Sequence, residues 1–509
     1  MTKNKRAIII GAGISGLSAG CYLQMNGYET EVFELHSISG GLCTSWKREG
    51  YVFDGCLHSI GGLSPMYRMN AYWNELVRLD PARFHFHDEL GHVLSEDGQE
   101  AVTLYTDPDK LEQELISVAP DDADFIRELV QAAKHFATYD PMLSKPIELW
   151  TPLDYYLSQF KSAPHMRYLS KWRHSMKDMM KDCKSPVLKR ALDLDFFARY
   201  PAYFFLFSLG QLHNRGAGYP LGGSLPLARS LEERYLGLGG TIHFDSKVAR
   251  INVRNDRAVG ITLENGEVHE DADVVISAAD GHYTIFEMLQ GKYVDSKIEK
   301  LYSTHPKWPS AVLVSLGIGR TFENAASQIE LHLKTPFVVD GQSSLDSIPI
   351  TIYNFDPSLS GEGKTCVRVI LETDNYQYWA DLRANDREQY KREKARIAAD
   401  AIAVLERTLG NIAGLVEVVD VATPATFHRY TNNWMGRTQG WEWVPGLIPE
   451  SIKKTLPGLK SFYMISQWVM PGGGVTSAAV LGRDVARIIC KRDRRAFRTE
   501  NVPATSTAP

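Results

Sequence analysis

The hydrophobic pattern at the N-terminus predicts a strand, a helix and a second strand. Ala7 to Ile10 form an apolar run without charge, which is typical of a central parallel strand buried on both faces. Apolar residues from Leu17 to Met25 recur on one helical face, and Asn26 and Gly27 end that helix. Strand-forming residues then resume from Glu31 to Glu34. The pattern therefore indicates a β-α-β unit at the start of the chain.

Farther along, the pattern changes between helical and strand-like stretches. Helical patterns dominate from Arg68 to Gln211, and glycines and strand patterns return near Gly218. Strands predicted near 273–279, 310–316 and 365–371 are followed by one long charged helix from 386 to 409 and by a last helix that ends near Cys490. This alternation predicts an α/β fold, α+β overall, with one domain interleaved in another.

The turn after the first strand carries Gly11, Gly13 and Gly16 in a G-x-G-x-x-G spacing. Gly11 permits the sharp turn, Gly13 lets the backbone approach a pyrophosphate, and Gly16 lets the helix pack closely on the strand. The phosphates would then lie on the free N–H groups at the helix N-terminus. Glu34 ends the second strand, where a carboxylate can accept hydrogen bonds from an adenosine ribose. These features together predict dinucleotide binding.

Composition excludes several other classes of protein. The 509 residues include 56 basic and 61 acidic ones, and a net charge of −5 argues against a nucleic-acid binder. No apolar run approaches the ~20 residues that span a bilayer, and no signal sequence precedes the first strand, so we expect a cytoplasmic protein, with peripheral membrane contact left open. The six cysteines form no C-x-x-C pair, which predicts neither a metal site nor a disulfide framework.

Two further segments carry a resemblance to a known family. Gly40 and Gly41 follow the second strand, and residues 50–61 read G-Y-V-F-D-G-C-L-H-S-I-G. With the fingerprint, they resemble the FAD-dependent family of phytoene desaturases, carotenoid cis-trans isomerases and retinol saturases, within the flavin amine oxidoreductase superfamily. The resemblance spans nearly the whole chain, but it is poor from 68 to 214 and from 310 to 430. It implies FAD as cofactor and a Rossmann-like FAD-binding domain of the glutathione-reductase and amine-oxidase type.

The same resemblance implies a domain division. The FAD-binding domain would comprise residues 1–67, 215–300 and 446–495. A substrate domain would interleave with it, as a helical cap at 68–214 and a mixed sheet with helix at 301–445. Residues 496–509 would form a disordered tail.

The fingerprint and the resemblance together predict a set of cofactor-binding residues. Near the C-terminus, the resemblance implies that a helix after a run of glycines points at the flavin, although Gln467 replaces an acid seen in many relatives. The set comprises Gly11, Ala12, Gly13, Ile14, Ser15, Gly16, Glu34, Leu35, Gly40, Gly41, Leu42, His58, Ser59, Ile60, Val248, Gln467, Gly474 and Val475.

Four residues are candidates for catalysis or substrate binding. His58 lies in a segment that the resemblance places beside the isoalloxazine, where a histidine can orient substrate or move a proton; a structural histidine is the alternative. Phe205 belongs to an aromatic stretch that would line an apolar tunnel or simply form a core helix. Arg437 would contact a cofactor phosphate or a polar substrate end, or form a surface ion pair. Trp441 belongs to a tryptophan-rich loop that resembles one near the flavin.

The resemblance implies an FAD-dependent oxidoreductase or isomerase that acts on carbon–carbon bonds of a carotenoid-like or retinoid-like lipid. One alternative is a flavin amine oxidase, which shares the fold. Another is a non-catalytic prenyl-lipid escort protein of the GDP-dissociation-inhibitor type. The expected partner is an apolar lipid substrate drawn from a membrane surface, with the oligomeric state left open.

Overall fold

The computed structural model describes residues 5–55, 59–447, 450–470 and 472–503. Their strands are β1 (Lys5–Ile10), β2 (Tyr28–Phe33), β3 (Ser45–Arg48), β4 (Tyr51–Asp54), β5 (Ile60–Gly61), β6 (Phe84–His85), β7 (Glu89–Ser95), β8 (Ala101–Tyr105), β9 (Ala217–Pro220), β10 (Thr241–His243), β11 (Val248–Arg254), β12 (Arg257–Leu263), β13 (Val268–His269), β14 (Val274–Ser277), β15 (Ser310–Ile318), β16 (Gln328–Val338), β17 (Ser344–Ile352), β18 (Thr365–Thr373), β19 (Val416–Ala422) and β20 (Phe462–Met464).

The α-helices of the same residues are α1 (Ile14–Met25), α2 (Arg68–Leu76), α3 (Pro108–Val118), α4 (Ala123–Phe136), α5 (Pro152–Lys171), α6 (Met176–Met179), α7 (Pro186–Leu192), α8 (Asp195–Ala198), α9 (Ala202–His213), α10 (Ser224–Gly237), α11 (Ser296–Thr304), α12 (Tyr376–Asn385), α13 (Arg387–Leu409), α14 (Pro424–Thr431) and α15 (Val475–Arg492). A π-helical turn occupies Tyr283–Met288.

A five-stranded parallel sheet organises the molecule, in the order β10-β2-β1-β14-β20. Its central strand β1 is the apolar run predicted from the sequence, and Ile8 and Ile9 are fully buried in a core shared with helices α1, α10 and α15 and with the antiparallel strands β11 and β12. Helix α1 packs so closely on α15 that a Cβ at Gly482 would lie 2.5 Å from the backbone nitrogen of Ala19. The predicted α/β fold class is confirmed.

The sheet draws strands from each of the three segments predicted to bind FAD. Strands β1 and β2 come from 1–67, β10 and β14 from 215–300, and β20 from 446–495. The domain boundaries themselves remain a prediction.

A seven-stranded sheet forms the second layer, in the order β19-β15-β18-β17-β16-β7-β8. Strands β7 and β8 belong to the segment predicted to be a helical cap, yet they extend this sheet through parallel pairing of β7 with β16. The rest of that segment is largely helical, and α3, α4, α7 and α9 share one apolar core. Long-range pairing of this kind leaves no signature in local periodicity, so the sequence pattern missed it.

The described part of the predicted tail, residues 496–503, is held against the body. The backbone nitrogen of Arg498 donates to Asn26 Oδ1 at 2.8 Å, and that of Val502 donates to the carbonyl of Asn74 at 2.9 Å. Phe497 also lies against Tyr22, with 5.9 Å between ring centroids. The expectation of disorder was therefore wrong for these residues, because one aromatic side chain and paired backbone groups anchor them.

Candidate functional site

A cavity opens at the carboxyl edge of the parallel sheet. Residues that directly follow four of its strands line the cavity: Gly11 after β1, Glu34 after β2, Ala278 after β14 and Ile465 after β20. In open α/β sheets, ligands bind in this crevice, beyond the carboxyl ends of the strands.

The three fingerprint glycines have separate roles in the structure. Gly11 has a φ of +96°, which only glycine adopts readily, and turns the chain into α1. A Cβ at Gly16 would lie 2.0 Å from the carbonyl oxygen of Gly11, so Gly16 is needed for packing. A Cβ at Gly13 would meet nothing within 4 Å, although Gly13 lines the cavity. The space beside Gly13 is therefore available to a ligand.

Glu34 fixes the loop that carries these glycines. Its carboxylate accepts hydrogen bonds from the backbone nitrogens of Ala12 at 2.6 Å and His36 at 2.9 Å. The residue is 5 % exposed and lines the cavity. Burial raises the pKa of Glu34, while the backbone N–H groups oppose that rise by favouring the charged form. A buried acceptor at the end of β2 suits a ribose hydroxyl.

The second glycine pair closes the same end of the cavity. The backbone nitrogen of Gly40 donates to the carbonyl of Ala12 at 2.9 Å, which ties this segment to the fingerprint. Gly41 follows with a φ of +61°. The apolar lining at this end is completed by Leu35, Leu42 and Val248. All three belong to the set of residues predicted from the sequence to bind the cofactor.

The N-terminus of α15 faces the cavity from the other side. Gly472, Gly473 and Gly474 all have positive φ, of 86°, 50° and 90°, and Gly474 caps the helix. This conformation leaves the first N–H groups of α15 beside the cavity, where Gly474 and Val475 line the wall. Helix N-termini stabilise negative charge, so α1 and α15 direct two such sites into one space.

Gln467 presents a polar group that the chain itself does not satisfy. Its Nε2 atom is buried, lies in a cavity-lining residue and has no hydrogen-bond partner among the described residues. A buried donor left unpaired costs about 1–3 kcal/mol, so a bound group that accepts from Gln467 would be stabilised. This donor, the open space at Gly13 and the paired helix N-termini all fit FAD.

Sequence reasoning missed Asp280, a fully buried carboxylate in the cavity wall. Trp468 Nε1 donates to Asp280 Oδ2 at 2.6 Å, and the backbone nitrogen of Tyr283 donates to Oδ1 at 2.9 Å. Burial raises the pKa of Asp280 above its ordinary value, against these donors. Its signal was positional, because Asp280 comes three residues after the end of β14, at the edge of the sheet where ligands bind.

An aromatic cluster surrounds Asp280. Trp434 stacks on His282 with 4.4 Å between centroids, and Tyr302 packs edge-on against Trp441 at 4.9 Å. Burial lowers the pKa of His282 to about 4, so its imidazole is neutral near pH 7. The cluster therefore holds Asp280 in a rigid and largely dry wall.

Several predicted site residues lie elsewhere or cannot be placed. His58 lies outside the described residues. Ile60 is buried in β5 and pairs with Gly218, and neither it nor Ser59 is among the residues that line the cavity. Trp441 is buried and donates from Nε1 to the carbonyl of Trp468 at 2.7 Å, so it supports the wall from behind.

Arg437 is also turned away from the cavity. Its guanidinium donates to the carbonyl of Trp308 and forms an ion pair with Asp374 at 2.9 Å. Arg437 is largely buried, and its partner Asp374 is exposed at the surface. This arrangement matches the ion-pair alternative raised from the sequence.

Phe205 packs into the cap core rather than against the cavity. It is 1 % exposed and meets Phe197 edge-on at 5.2 Å. On a helix, neighbouring residues point about 100° apart, so Phe204 and Tyr203 take the opposite, partly exposed face of α9. Phe205 therefore lies in a core helix, which was the alternative raised from the sequence, and a substrate-lining role for the aromatic stretch stays a prediction.

The part of the chain that the structure describes contains neither a metal-binding cluster nor a membrane-spanning helix. No group of three histidine, cysteine, aspartate or glutamate side chains is arranged to hold a metal ion there. Nor does any helix in those residues have the length and apolar character required to cross a bilayer.

Known proteins resemble this chain along most of its length. Prolycopene isomerase of Daucus carota is 25 % identical over 94 % of this chain and 78 % of its own. All-trans-retinol 13,14-reductase of Danio rerio is 24 % identical over 94 % of this chain and 85 % of its own. The crystal structure of an oxidoreductase from Methanosarcina mazei superposes with a TM-score of 0.58 at 17 % identity, covering 95 % of this chain and all of that one.

A family model described as flavin containing amine oxidoreductase matches residues 14–400, which is more than half of the chain. The match includes α1, part of the glycine fingerprint and most of the second layer. It confirms the predicted FAD cofactor and the predicted oxidoreductase class. The chain therefore belongs to the family of flavin containing amine oxidoreductases.

Proposed function

We propose that this protein uses FAD to change carbon–carbon bonds of an apolar polyene or isoprenoid lipid, by desaturation, saturation or cis-trans isomerisation. Two enzymes that match most of this chain are named for prolycopene and retinol, which supports a substrate of that class. When bound, FAD supplies the hydride or electron transfer, and the protein supplies binding, orientation and exclusion of water.

The observation that carries this proposal is an aromatic wall beside the glycine loop, formed by Tyr200, Phe204 and Trp443. A Cβ at Gly472 would lie 3.3 Å from the Trp443 ring and 3.9 Å from that of Tyr200. Tyr200 in turn stacks on Phe204, with 4.2 Å between centroids. The cap thus places aromatic rings beside the glycine loop that precedes α15, next to the cavity-lining Gly473 and Gly474. A polyene without polar groups must be positioned by the shape of such walls.

The candidate cofactor residues have distinct tasks in this proposal. The N–H groups around Gly13 and at the start of α15 bind anionic groups, and Glu34 accepts from the ribose. Gln467 donates to an acceptor of the flavin, while Asp280 holds the Trp468 side of the wall in place. The aromatic wall then aligns one bond of the substrate against the cofactor.

The substrate would reach this wall from a membrane surface, because a long apolar polyene is poorly soluble in water. Burial contributes roughly 25 cal/mol per Å² of apolar surface, which favours binding but distinguishes weakly between neighbouring bonds. We infer that the length and shape of the space between the wall and the flavin select the bond that reacts.

Equilibrium titration tests this proposal directly. The visible spectrum of the flavin in the holoenzyme is followed while all-trans-retinol, a C40 carotene or putrescine is added in detergent. We expect saturable changes with the polyenes, and at least about tenfold weaker binding in a Trp443→Ala variant, within the range for a lost aromatic anchor. Tyr293→Ala, distant from the wall, is the matched control. Saturation by putrescine alone would favour the amine oxidase alternative instead.

A further inference from the structure

Helix α5 lies on the surface of the cap with its apolar side outward. It has 20 residues, and none of them is buried. Leu153, Tyr156 and Phe160 are 66 %, 76 % and 84 % exposed. Their spacing of three and four residues puts them on one face of the helix. A surface helix of a globular protein usually turns such a stripe toward the core.

The side of α5 that faces the protein is instead polar. From Asp154 to His165 its less exposed positions are polar (Asp154, Ser158, Ser162 and His165), and only Tyr168 and Leu169 near its C-terminus pack apolar side chains on the cap core. Asp154 pairs with Lys145 at 2.5 Å, and the rings of His165 and His135 are joined by a hydrogen bond of 2.9 Å. Polar contacts, together with Tyr168 and Leu169 at its C-terminal end, therefore hold the helix on the cap, so folding does not account for the outward apolar residues of its first half.

Positive charge accompanies this apolar face. Arg167 continues the outward face toward the C-terminus of α5, and the exposed Lys171, whose ammonium pairs with Glu128 of α4, follows it one turn later. Residues 141–190 contain ten lysines and arginines against four aspartates and glutamates, in a chain whose net charge is −5. Basic residues beside exposed aromatic and leucine side chains are typical of helices that lie in the interface of an anionic membrane.

The end of α5 adjoins the aromatic wall of the candidate site. The backbone nitrogen of Gly446 donates to the carbonyl of Arg173 at 2.7 Å, and that of Tyr203 donates to the carbonyl of Trp172 at 3.0 Å. Tyr203 also meets Trp443 edge-on, with 5.9 Å between centroids. A lipid surface that contacts α5 would therefore lie near the side of the cavity where the proposed substrate binds.

We propose that the α5 face, comprising Leu153, Tyr156, Leu157, Phe160, Arg167 and Lys171, docks the protein on a bilayer that contains anionic lipid. This inference deepens the proposed function, since it identifies the surface through which an apolar substrate would be taken up. A second copy of the chain is a poorer occupant. In a two-fold dimer through this face, the same basic residues would oppose one another, and like charges disfavour association.

Vesicle flotation tests the docking surface. Holoenzyme is mixed with vesicles of phosphatidylcholine alone or with 30 % phosphatidylglycerol, and the floated fraction is measured at low and high salt. We expect binding to the anionic vesicles at low salt, and at least about tenfold less to the neutral ones or in 0.5 M salt, because salt screens the attraction.

Variants assign the binding to this face. Tyr156→Ser with Phe160→Ser, and separately Arg167→Gln with Lys171→Gln, should each reduce the floated fraction at least about fivefold while flavin content and Tm stay unchanged. Lys297→Gln with Lys300→Gln on α11 and Val338→Ser on β16 are matched controls and should bind normally. Unchanged binding by both α5 variants would overturn the inference. So would a wild-type dimer that the aromatic variant abolishes, without any binding to vesicles.

Turnover in detergent separates this inference from the proposed function. With the lipid already dispersed, the α5 variants should convert a polyene as fast as the wild type. If the wild type binds anionic vesicles but converts no polyene in detergent, the proposed function fails while the docking surface stands.

Discussion

Gly13 and Gly16 belong to one fingerprint, yet the space around them differs. A side chain at Gly13 finds open space in the cavity, whereas one at Gly16 collides with the backbone of Gly11. Gly13→Val should therefore leave the free energy of unfolding of the apoprotein within about 1 kcal/mol of wild type while abolishing FAD retention. Calorimetry of the apoprotein and the flavin absorbance of the purified protein provide the two measurements.

Gly16→Val is the matched control for that prediction. Overlap with a backbone atom should lower the free energy of unfolding by about 3 kcal/mol or more, whether or not flavin is present. If Gly13→Val keeps a full complement of flavin, the pyrophosphate does not lie where the fingerprint predicts.

His58 stays a prediction at the residue scale, because it lies outside the described residues. Its segment begins at Asp54, whose carboxylate accepts hydrogen bonds from Tyr219 and Ser224 at 2.8 and 2.7 Å. His58→Ala should keep normal flavin content and lower turnover at least about tenfold, as expected for a lost proton-transfer or positioning group. Turnover equal to that of the wild type would support the structural alternative.

Residues that act through their backbone were the easiest to predict from the sequence. Glycine fingerprints and the acid at the end of β2 depend on local geometry, and Gly11, Gly13 and Glu34 all reach the cavity. Asp280 and Gln467 reach the cavity only because distant strands and loops converge there. No local sequence pattern therefore identified Asp280. The predicted roles of the individual cofactor residues still await measurement.

At the scale of elements, helix α9 shows that a pattern can predict a helix without predicting which of its residues faces the site. The aromatic stretch predicted one apolar helix, but periodicity alone does not say which face meets the cap core and which meets the site. Phe205 faces the core and Phe204 the aromatic wall. The choice of face depends on the packing of α9 against α4, which lies far from it in sequence.

The two phenylalanines should respond differently to truncation. Phe205→Ala should lower the free energy of unfolding by about 3–5 kcal/mol, as for a fully buried phenylalanine. Phe204→Ala should cost much less stability but weaken polyene binding, because its ring stacks on Tyr200 beside the glycine loop. Thermal unfolding and the flavin titration measure the two effects, and the reverse assignment would contradict the orientation of α9.

Strand β16 carries a carboxylate that should make stability depend on pH. Burial, with Asp195 and Glu372 nearby, raises the pKa of Glu330 to about 8, against a donor hydrogen bond from Ser347. Between about pH 5 and 8 the folded state therefore binds more protons than the unfolded state, so stability falls as the pH rises.

Glu330→Gln tests this dependence. The neutral amide should raise Tm at pH 8.5 relative to wild type and change it little at pH 5, because the wild-type carboxyl is protonated in the folded state at the lower pH. Differential scanning calorimetry across this range checks the sign. A wild-type Tm that rises from pH 5 to 8 while that of the variant stays flat would contradict it.

At the scale of the whole molecule, the described residues offer one dinucleotide site. A Gly-x-Gly spacing also occurs at Gly317 and Gly319, but Gly317 lies in β15, where an added Cβ would meet the Tyr51 ring at 2.7 Å. It is strand packing, not a phosphate loop. Titration calorimetry of the holoenzyme with NADPH should therefore show no tight, stoichiometric binding that is independent of the FAD site.

That strands from three separate segments join one sheet could be expected in outline, because segments rich in glycine alternate with segments that lack it, while the domain division stays a prediction. The contribution of β7 and β8 to the second sheet and the outward apolar face of α5 could not. Both depend on contacts between distant parts of the chain. Hydrophobic periodicity alone indicates no more than a hairpin for β7 and β8 and a helix for α5.

Product analysis under anaerobic conditions tests directly whether this flavoprotein changes the carbon–carbon bonds of a polyene. Holoenzyme is incubated with a poly-cis carotene, all-trans-retinol or putrescine, with the flavin either oxidised or chemically reduced, and the products are identified by chromatography and mass spectrometry. We expect at least one polyene to gain or lose two hydrogens, or to change double-bond geometry, and Gly13→Val to abolish this conversion. Efficient oxidation of putrescine with no change in any polyene would contradict this expectation.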